Sequence, residues 1–301
     1  VAYHELYVSP SNILVGFQVP FEKAEYIVVG VPFDVTSTFR TGARFAPRAI
    51  REASLNIETY SFRSRMAVEE LAIHDLGDLH VVADVEETLH RTEHVVRSLL
   101  EAKKRPVILG GEHTITLGCF RGLKEHAQET VVISFDAHLD LRNEYMGLKV
   151  SHTTFMRRLN EQVKPAKIIE IGTRAVCKEE LDYAEKAKIK YFTTHQIRKQ
   201  GIEKILGEIE RAFKGYDDVY LTIDMDVLDP AYAPAVQNPE PEGLDMQTFL
   251  EILDSIVEKR RIIALDLVEV TPHYDWGVTA IEAAKILFEA LCFMERQGKK
   301  C

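Results

Sequence analysis

The sequence predicts an α/β protein whose mainly parallel sheet is covered on both faces by helices, and three observations lead to that class. About eight short apolar runs rich in Val, Ile and Leu alternate with longer amphipathic stretches along the 301 residues. Three of those runs, 106–110, 131–135 and 219–224, pass straight into histidine and carboxylate side chains. No Gly/Ser-rich or Pro-rich linker and no composition break divides the chain, so one domain is expected over 1–301, with 1–25 as an irregular N-terminal arm. A closed (β/α)8 barrel shares the same alternation, and periodicity alone does not separate it from an open sheet.

The elements follow in order. The first core strand is expected over 26–32, and the polar loop from Asp34 to Arg44 after it is long enough to shape a pocket rim. Pro47 suits the first turn of a helix running through Ile50 and Arg51. A short strand is expected over 72–78, and Asp84 with Glu87 forms a capping box for a helix whose apolar face carries Leu89, Val95, Val96 and Leu99. Lys103, Lys104 and Arg105 are read as that helix's cationic end. Strands over 106–110, 131–135, 167–172, 189–192, 219–224 and 261–269 then alternate with helices near 115–126, 152–162, 178–187, 202–213, 246–259 and 277–296.

Composition narrows the function. The net charge of −10 disfavours nucleic acid, which needs a basic footprint, and suits a cationic small molecule. The cysteines Cys119, Cys177, Cys292 and Cys301 form no CxxC pair, and a chain this large needs no disulfide framework, so a reducing cytoplasm is expected. No apolar run is long enough to span a membrane.

The chemistry gathers at three strand ends. Val131-Val-Ile-Ser-Phe135 runs into Asp136, His138 and Asp140, and side chains at i, i+2 and i+4 of an extended chain point the same way. The 219–224 strand ends in Asp224 and Asp226, and the 106–110 strand leads to His113. In open parallel sheets ligands gather beyond the carboxyl ends of the strands, so these six side chains form one site. Four carboxylates and two imidazoles exceed the three protein ligands of a catalytic zinc and suit two divalent ions, with the oxygen-rich set favouring manganese. Four aspartates balance two such ions, and a shared hydroxide leaves a net −1, matched to a cationic electrophile.

Gly110-Gly111-Glu112-His113-Thr114-Ile115-Thr116-Leu117-Gly118, Asp136-Ala137-His138-Leu139-Asp140 and Asp224-Met225-Asp226-Val227-Leu228-Asp229-Pro230 together resemble the signature segments of the ureohydrolases, the family of arginases and agmatinases. The similarity runs from Val29 to the final helix. It implies a three-layer α/β/α sandwich with an eight-stranded mainly parallel sheet, a cofactor of two Mn2+ ions, and a homotrimer or homohexamer. By that resemblance His113, Asp136, Asp140 and Asp224 hold one ion, and Asp136, His138, Asp224 and Asp226 hold the other. A bridging hydroxide then attacks the guanidinium carbon, and Asp140 passes a proton to the departing amine. Glu269, in Val268-Glu269-Val270-Thr271-Pro272, is similar to the glutamate that pairs with the substrate guanidinium, and His152, in Ser151-His152-Thr153, to the family's pocket histidine, a proton shuttle. For these two the plainer alternatives are a structural ion pair and a hydrogen-bonded loop residue.

Arginases carry an asparagine two residues beyond the last aspartate of the Asp-Ala-His segment. Arg142 stands there, so the resemblance is to the agmatinase branch. Agmatine ends in an ammonium, for which Glu144 is the candidate partner. Arg142, if it faces the pocket, favours a carboxylate tail instead, as in guanidinobutyrate. Both can equally be solvated loop charges.

Overall fold

The β-branched runs become strands that are buried on both faces, as a parallel sheet between helical layers requires. The computed structural model describes residues 3–9 and 12–299. Eight parallel strands form the body of the sheet: β1 (Tyr26–Val31), β2 (Ile73–Leu79), β3 (Arg105–Gly110), β4 (Val131–Phe135), β5 (Lys167–Thr173), β6 (Lys190–Thr193), β7 (Asp218–Asp224) and β8 (Arg261–Val268). They lie in the order β2-β1-β3-β8-β7-β4-β5-β6. The sheet is open, which decides against the barrel: β6 and β2 do not pair, and β2 is flanked by a two-residue antiparallel strand, Val8–Ser9.

Alternation within each strand supplies the two cores. Tyr26 and Val28 of β1, with Val107 and Leu109 of β3, face the helices Ala46–Ser54, Ile202–Phe213, Met246–Lys259 and Val278–Gly298. Ile27, Val29 and Ile108 face Val85–Glu101, Ile115–Arg121, Phe155–Arg158 and Lys178–Ala187. Three layers result, and each fully buried aliphatic or phenyl side chain contributes roughly 1.5–3 kcal/mol.

The structure differs from the expected elements in five places. Part of the N-terminal arm is ordered, with a helix at Tyr3–Tyr7 and Leu14 buried; residues 1, 2, 10 and 11 lie outside the described residues, as does Cys301. The Asp84-capped helix forms as read, Asp84 Oδ1 accepting from Glu87 N at 2.8 Å, but it ends at Glu101. Lys103 turns the chain at φ 58° and Arg105 opens β3, while Lys104 Nζ reaches the Ala24 carbonyl at 2.7 Å. A helix at Thr194–Gln200, capped by Thr193 and Gln196, went unread, as did the small hairpin Tyr60–Ser61/Met66–Ala67. The helix expected near 152–162 is one turn, Phe155–Arg158, running into a π turn.

Register places the functional ends level with one another. Ile223 pairs with Phe135, Asp224 with Val268, and Leu267 with Leu109, so β3, β8, β7 and β4 all stop at one height. Gly111 lets the β1 and β3 ends close up: a Cβ there would lie 1.8 Å from the Phe33 carbonyl oxygen.

Candidate metal centre

Three strand ends, those of β3, β4 and β7, bring together all six expected ligands, and the end of β8 adds Glu269. His113 Nδ1 lies 3.0 Å from Asp136 Oδ2, 3.1 Å from Asp224 Oδ2 and 3.5 Å from Asp140 Oδ2. His138 Nδ1 lies 3.0 Å from Asp226 Oδ2 and 3.5 Å from Asp136 Oδ1. Two groups with metal-binding spacing emerge, His113/Asp136/Asp140 and Asp136/His138/Asp226, and they share Asp136.

The tautomer of His113 tests whether a cation belongs there. Its Nε2 lies 2.8 Å from Thr222 Oγ1, and Thr222 gives its one hydroxyl proton to Asp266 at 2.5 Å. Thr222 must then accept from Nε2–H. Nδ1 is buried and faces three carboxylates; against the opposing effect of burial, Asp136 and Asp224 raise the His113 pKa well above its usual value, so Nδ1 carries either a proton or a metal there. A lone pair among anions is repulsive unless a cation lies between, so the donor set fits a metal. Tyr220 and Thr116 also donate to Asp266, which makes the support for Thr222 rigid. Thr222, Tyr220 and Asp266 were read only as core strand, because their partners lie 44 to 109 residues apart in sequence. Thr222→Val is expected to weaken metal binding roughly 10- to 100-fold with the fold intact, measured by manganese titration of metal-stripped protein; unchanged affinity would remove the tautomer argument.

Arg174 ties the second ligand group together. Its backbone N donates to Ala137 O at 2.8 Å, between Asp136 and His138. Its guanidinium donates to the carbonyls of Asp226, Val227, Leu228, Glu240, Pro241 and Gly172. All its donors are thereby committed to main chain, although the side chain borders the cavity.

Glu269 ends β8 at φ 69°, and Asp140 sits at φ 50°, left-handed conformations that cost a non-glycine residue roughly 1–3 kcal/mol and recur at functional sites. Glu269 Oε1 accepts from His113 N at 2.7 Å, while Oε2 is buried with no partner. His152 is buried against the rim loop, with Thr38 Oγ1 3.2 Å from its Nε2, and burial lowers its pKa to about 3.

A cavity of about 440 Å³ opens over the cluster, bordered by His138, Asp140, His152, Asp224, Asp226 and Glu269. Arg142 borders it too, its guanidinium 4.8 Å over the Tyr145 ring. Glu144 does not: it is exposed, outside the cavity lining, where a turn from Tyr145 to Leu148 carries the chain away. Besides the aspartates and Glu269, the acidic side chains at the cavity are Glu180, whose two oxygens take Leu141 N and Cys177 N, and Glu240, 3.8 Å from His138 Nε2.

Burial, reinforced by neighbouring negative charge, pushes the carboxyls of Asp140, Asp224 and Glu269 well above the usual range. Burial also raises Glu170, whose two oxygens have no hydrogen-bond partner, and lifts Glu112 to about 7. A group whose pKa is raised by folding holds more protons folded than unfolded, so it loses stability as pH rises toward the folded value. His152, lowered, acts oppositely but only below its ordinary value of 6.5. The metal-free protein is therefore expected to melt progressively lower from pH 6.5 to 9, and saturating manganese to flatten that fall. A flat metal-free profile in scanning calorimetry would contradict it.

A family model described as the arginase family matches residues 24–292. The chain belongs to the arginase family. Among arginase-family relatives, the N(1)-aminopropylagmatine ureohydrolase of Thermococcus kodakarensis is 37% identical over 282 residues, covering 92% of this chain and 93% of that protein. The agmatinase of Bacillus anthracis is 34% identical over 277 residues, covering 90% and 92%. The crystal structure of the agmatine ureohydrolase of Thermoplasma volcanium superposes with a TM-score of 0.85 at 36% identity, covering 94% of each chain. This chain is thus a ureohydrolase of the arginase family with that family's fold. Among the described residues no helix is long and apolar enough to cross a membrane.

Proposed function

We propose that this ureohydrolase is a dimanganese amidinohydrolase that converts agmatine and water to putrescine and urea. One observation carries the reading: a buried, unpartnered carboxylate oxygen, Glu269 Oε2, stands at the strand end beside the His113 imidazole and the aspartates. A planar guanidinium supplies the paired donors that such a carboxylate lacks.

In this reading His113, Asp136, Asp140 and Asp224 hold one divalent ion, and Asp136, His138, Asp224 and Asp226 the other. The chemistry such a pair supplies when bound is acidification of water, from a pKa of ~15.7 to roughly 7, which makes a nucleophile available at neutral pH. Glu269 fixes the guanidinium so that its central carbon faces the cluster. Asp140, at the cavity surface, passes a proton to the amine nitrogen as the C–N bond breaks. His152 lends a neutral imidazole to the cavity wall. Similarity to agmatinases supports the amine-tailed substrate, and Glu240 replaces Glu144 as the acidic group available to the tail. A cytoplasmic homotrimer or homohexamer is part of the same proposal.

Arg142 favours a second reading. A guanidinium at the cavity border suits a carboxylate tail, as in guanidinobutyrate. Urea release from agmatine, arginine and guanidinobutyrate, measured in parallel on metal-stripped protein reloaded with manganese, separates the two. Preference for agmatine supports the first reading, preference for guanidinobutyrate the second, and no urea from any of the three rejects both.

A further inference from the structure

Next to the metal cluster lies a hydrogen-bonded chain of side chains that hydrolysis as set out above does not use. Glu112 is fully buried and directs its carboxylate to the rim loop. Oε1 accepts from Thr36 Oγ1 at 2.6 Å and from Thr114 Oγ1 at 2.7 Å, and Oε2 accepts from Thr36 N at 2.8 Å. Thr36, itself buried, also meets His152 twice. Its Oγ1 accepts from the His152 backbone N at 3.1 Å and lies 3.3 Å from the ring Nδ1.

A hydroxyl has one hydrogen to give. Thr36 gives it to the Glu112 carboxylate, the shortest of its contacts and a charge-assisted one. Toward the His152 ring Thr36 can then only accept, so Nδ1 carries the ring proton and Nε2 keeps its lone pair. In this tautomer Thr38 Oγ1, 3.2 Å from Nε2, is a donor to that lone pair and turns its hydroxyl away when a substrate takes its place; both Thr38 and His152 border the cavity. A guanidinium or an ammonium offers only donors, so the cavity needs an acceptor at this place. The opposite tautomer would set an N–H against them.

We propose that Glu112 and Thr36 are positioning residues that hold His152 in the Nδ1–H tautomer, so that Nε2 presents a hydrogen-bond acceptor to a cationic substrate. The inference rests on His152 facing the substrate in the hydrolysis proposed above. Neither residue touches the substrate; both act through the ring.

The test uses Thr36→Val, which keeps the volume and loses the hydroxyl, and Thr36→Ser, which keeps the hydroxyl and loses the methyl. Both are compared with the unsubstituted full chain at pH 8.5. One readout is the imidazole 15N spectrum of histidine-labelled protein loaded with diamagnetic zinc, with His152 assigned by its loss in His152→Gln. The other is kcat and KM of the manganese enzyme on whichever guanidino compound it hydrolyses fastest. Expected are an Nδ1-protonated His152 in the unsubstituted protein, a mixture of tautomers in Thr36→Val, and a fall of about tenfold in kcat/KM, carried mainly by KM, that Thr36→Ser largely restores. An Nε2-protonated His152 in the unsubstituted protein overturns the proposal. So does a Thr36→Val protein that matches it in both readouts, or a Thr36→Ser protein as impaired as Thr36→Val. If the unsubstituted enzyme releases no urea from any compound while its spectrum shows Nδ1–H, the catalytic reading fails and with it the substrate role of Nε2, but the tautomer assignment stands.

Discussion

Asp136→Asn is expected to lower urea release at least about a thousandfold and to leave the protein with fewer than two bound ions per chain. Asp136 is shared by the two triads of metal-binding spacing, and with Asp224 belongs to both proposed ligand sets: its Oδ2 lies toward His113 and its Oδ1 toward His138. Asparagine keeps the size and one oxygen but removes the charge and the second anionic contact. A shared carboxylate cannot be replaced by an amide whose NH2 faces a cation. Loss of a supporting partner alone costs roughly 10- to 100-fold, and here a direct ligand of both ions is lost, together with the means of acidifying water at neutral pH. Metal content by mass spectrometry and activity at saturating manganese read the two effects, and circular dichroism checks the fold. Activity within tenfold of the unsubstituted enzyme, with two ions bound, would dismantle the centre as described.

Glu269→Gln should act differently, lowering kcat/KM roughly a hundredfold while metal content stays the same. Each hydrogen bond between charged groups contributes about 1.5–3 kcal/mol, and every ~1.4 kcal/mol is a factor of ten. Glutamine fills the same space, and its carbonyl can still take the His113 amide. Its NH2 then stands where Glu269 Oε2, buried and unpartnered, awaits donors. Stability should move the opposite way. Burial and the Asp224 charge raise the Glu269 carboxyl, so its ionised form is costly at high pH. The metal-free Glu269→Gln protein should therefore melt higher than the unsubstituted one near pH 9 and alike near pH 5. A loss of bound manganese would recast Glu269 as a ligand, and unchanged kcat/KM would reduce it to a structural acceptor for His113 N.

Much of the centre was legible because its signals are local. The buried apolar run Val131–Phe135 says where Asp136, His138 and Asp140 begin, but the strand stops before them: they converge in a loop that Asp140 turns at φ 50°, not by the period of an extended chain. Asp224 ends β7, whereas Asp226 lies in the 3-10 turn Met225–Val227 that Asp224 caps. The capping pair Asp84 and Glu87 is legible for a similar reason, since both partners lie within one helical turn. Lys103 to Arg105 misled, because their charge suits a helix end while the positive φ at Lys103 had already ended that helix.

What the sequence by itself determined is most of the strands and long helices, the six side chains that the strand ends bring together and the chemical class they imply, since these follow from short segments of chain. What only the tertiary structure decided is which elements become neighbours: that β3 lies beside β8 and not β4, that Thr222 and Asp266 stand beneath His113, that Thr36 reaches Glu112 across 76 residues, and that Arg142 and not Glu144 borders the cavity. The reason is physical. Backbone periodicity sets the direction of a side chain, whereas its partner is set by packing between segments remote in sequence, where a hydroxyl's single proton or a turn of loop settles the outcome.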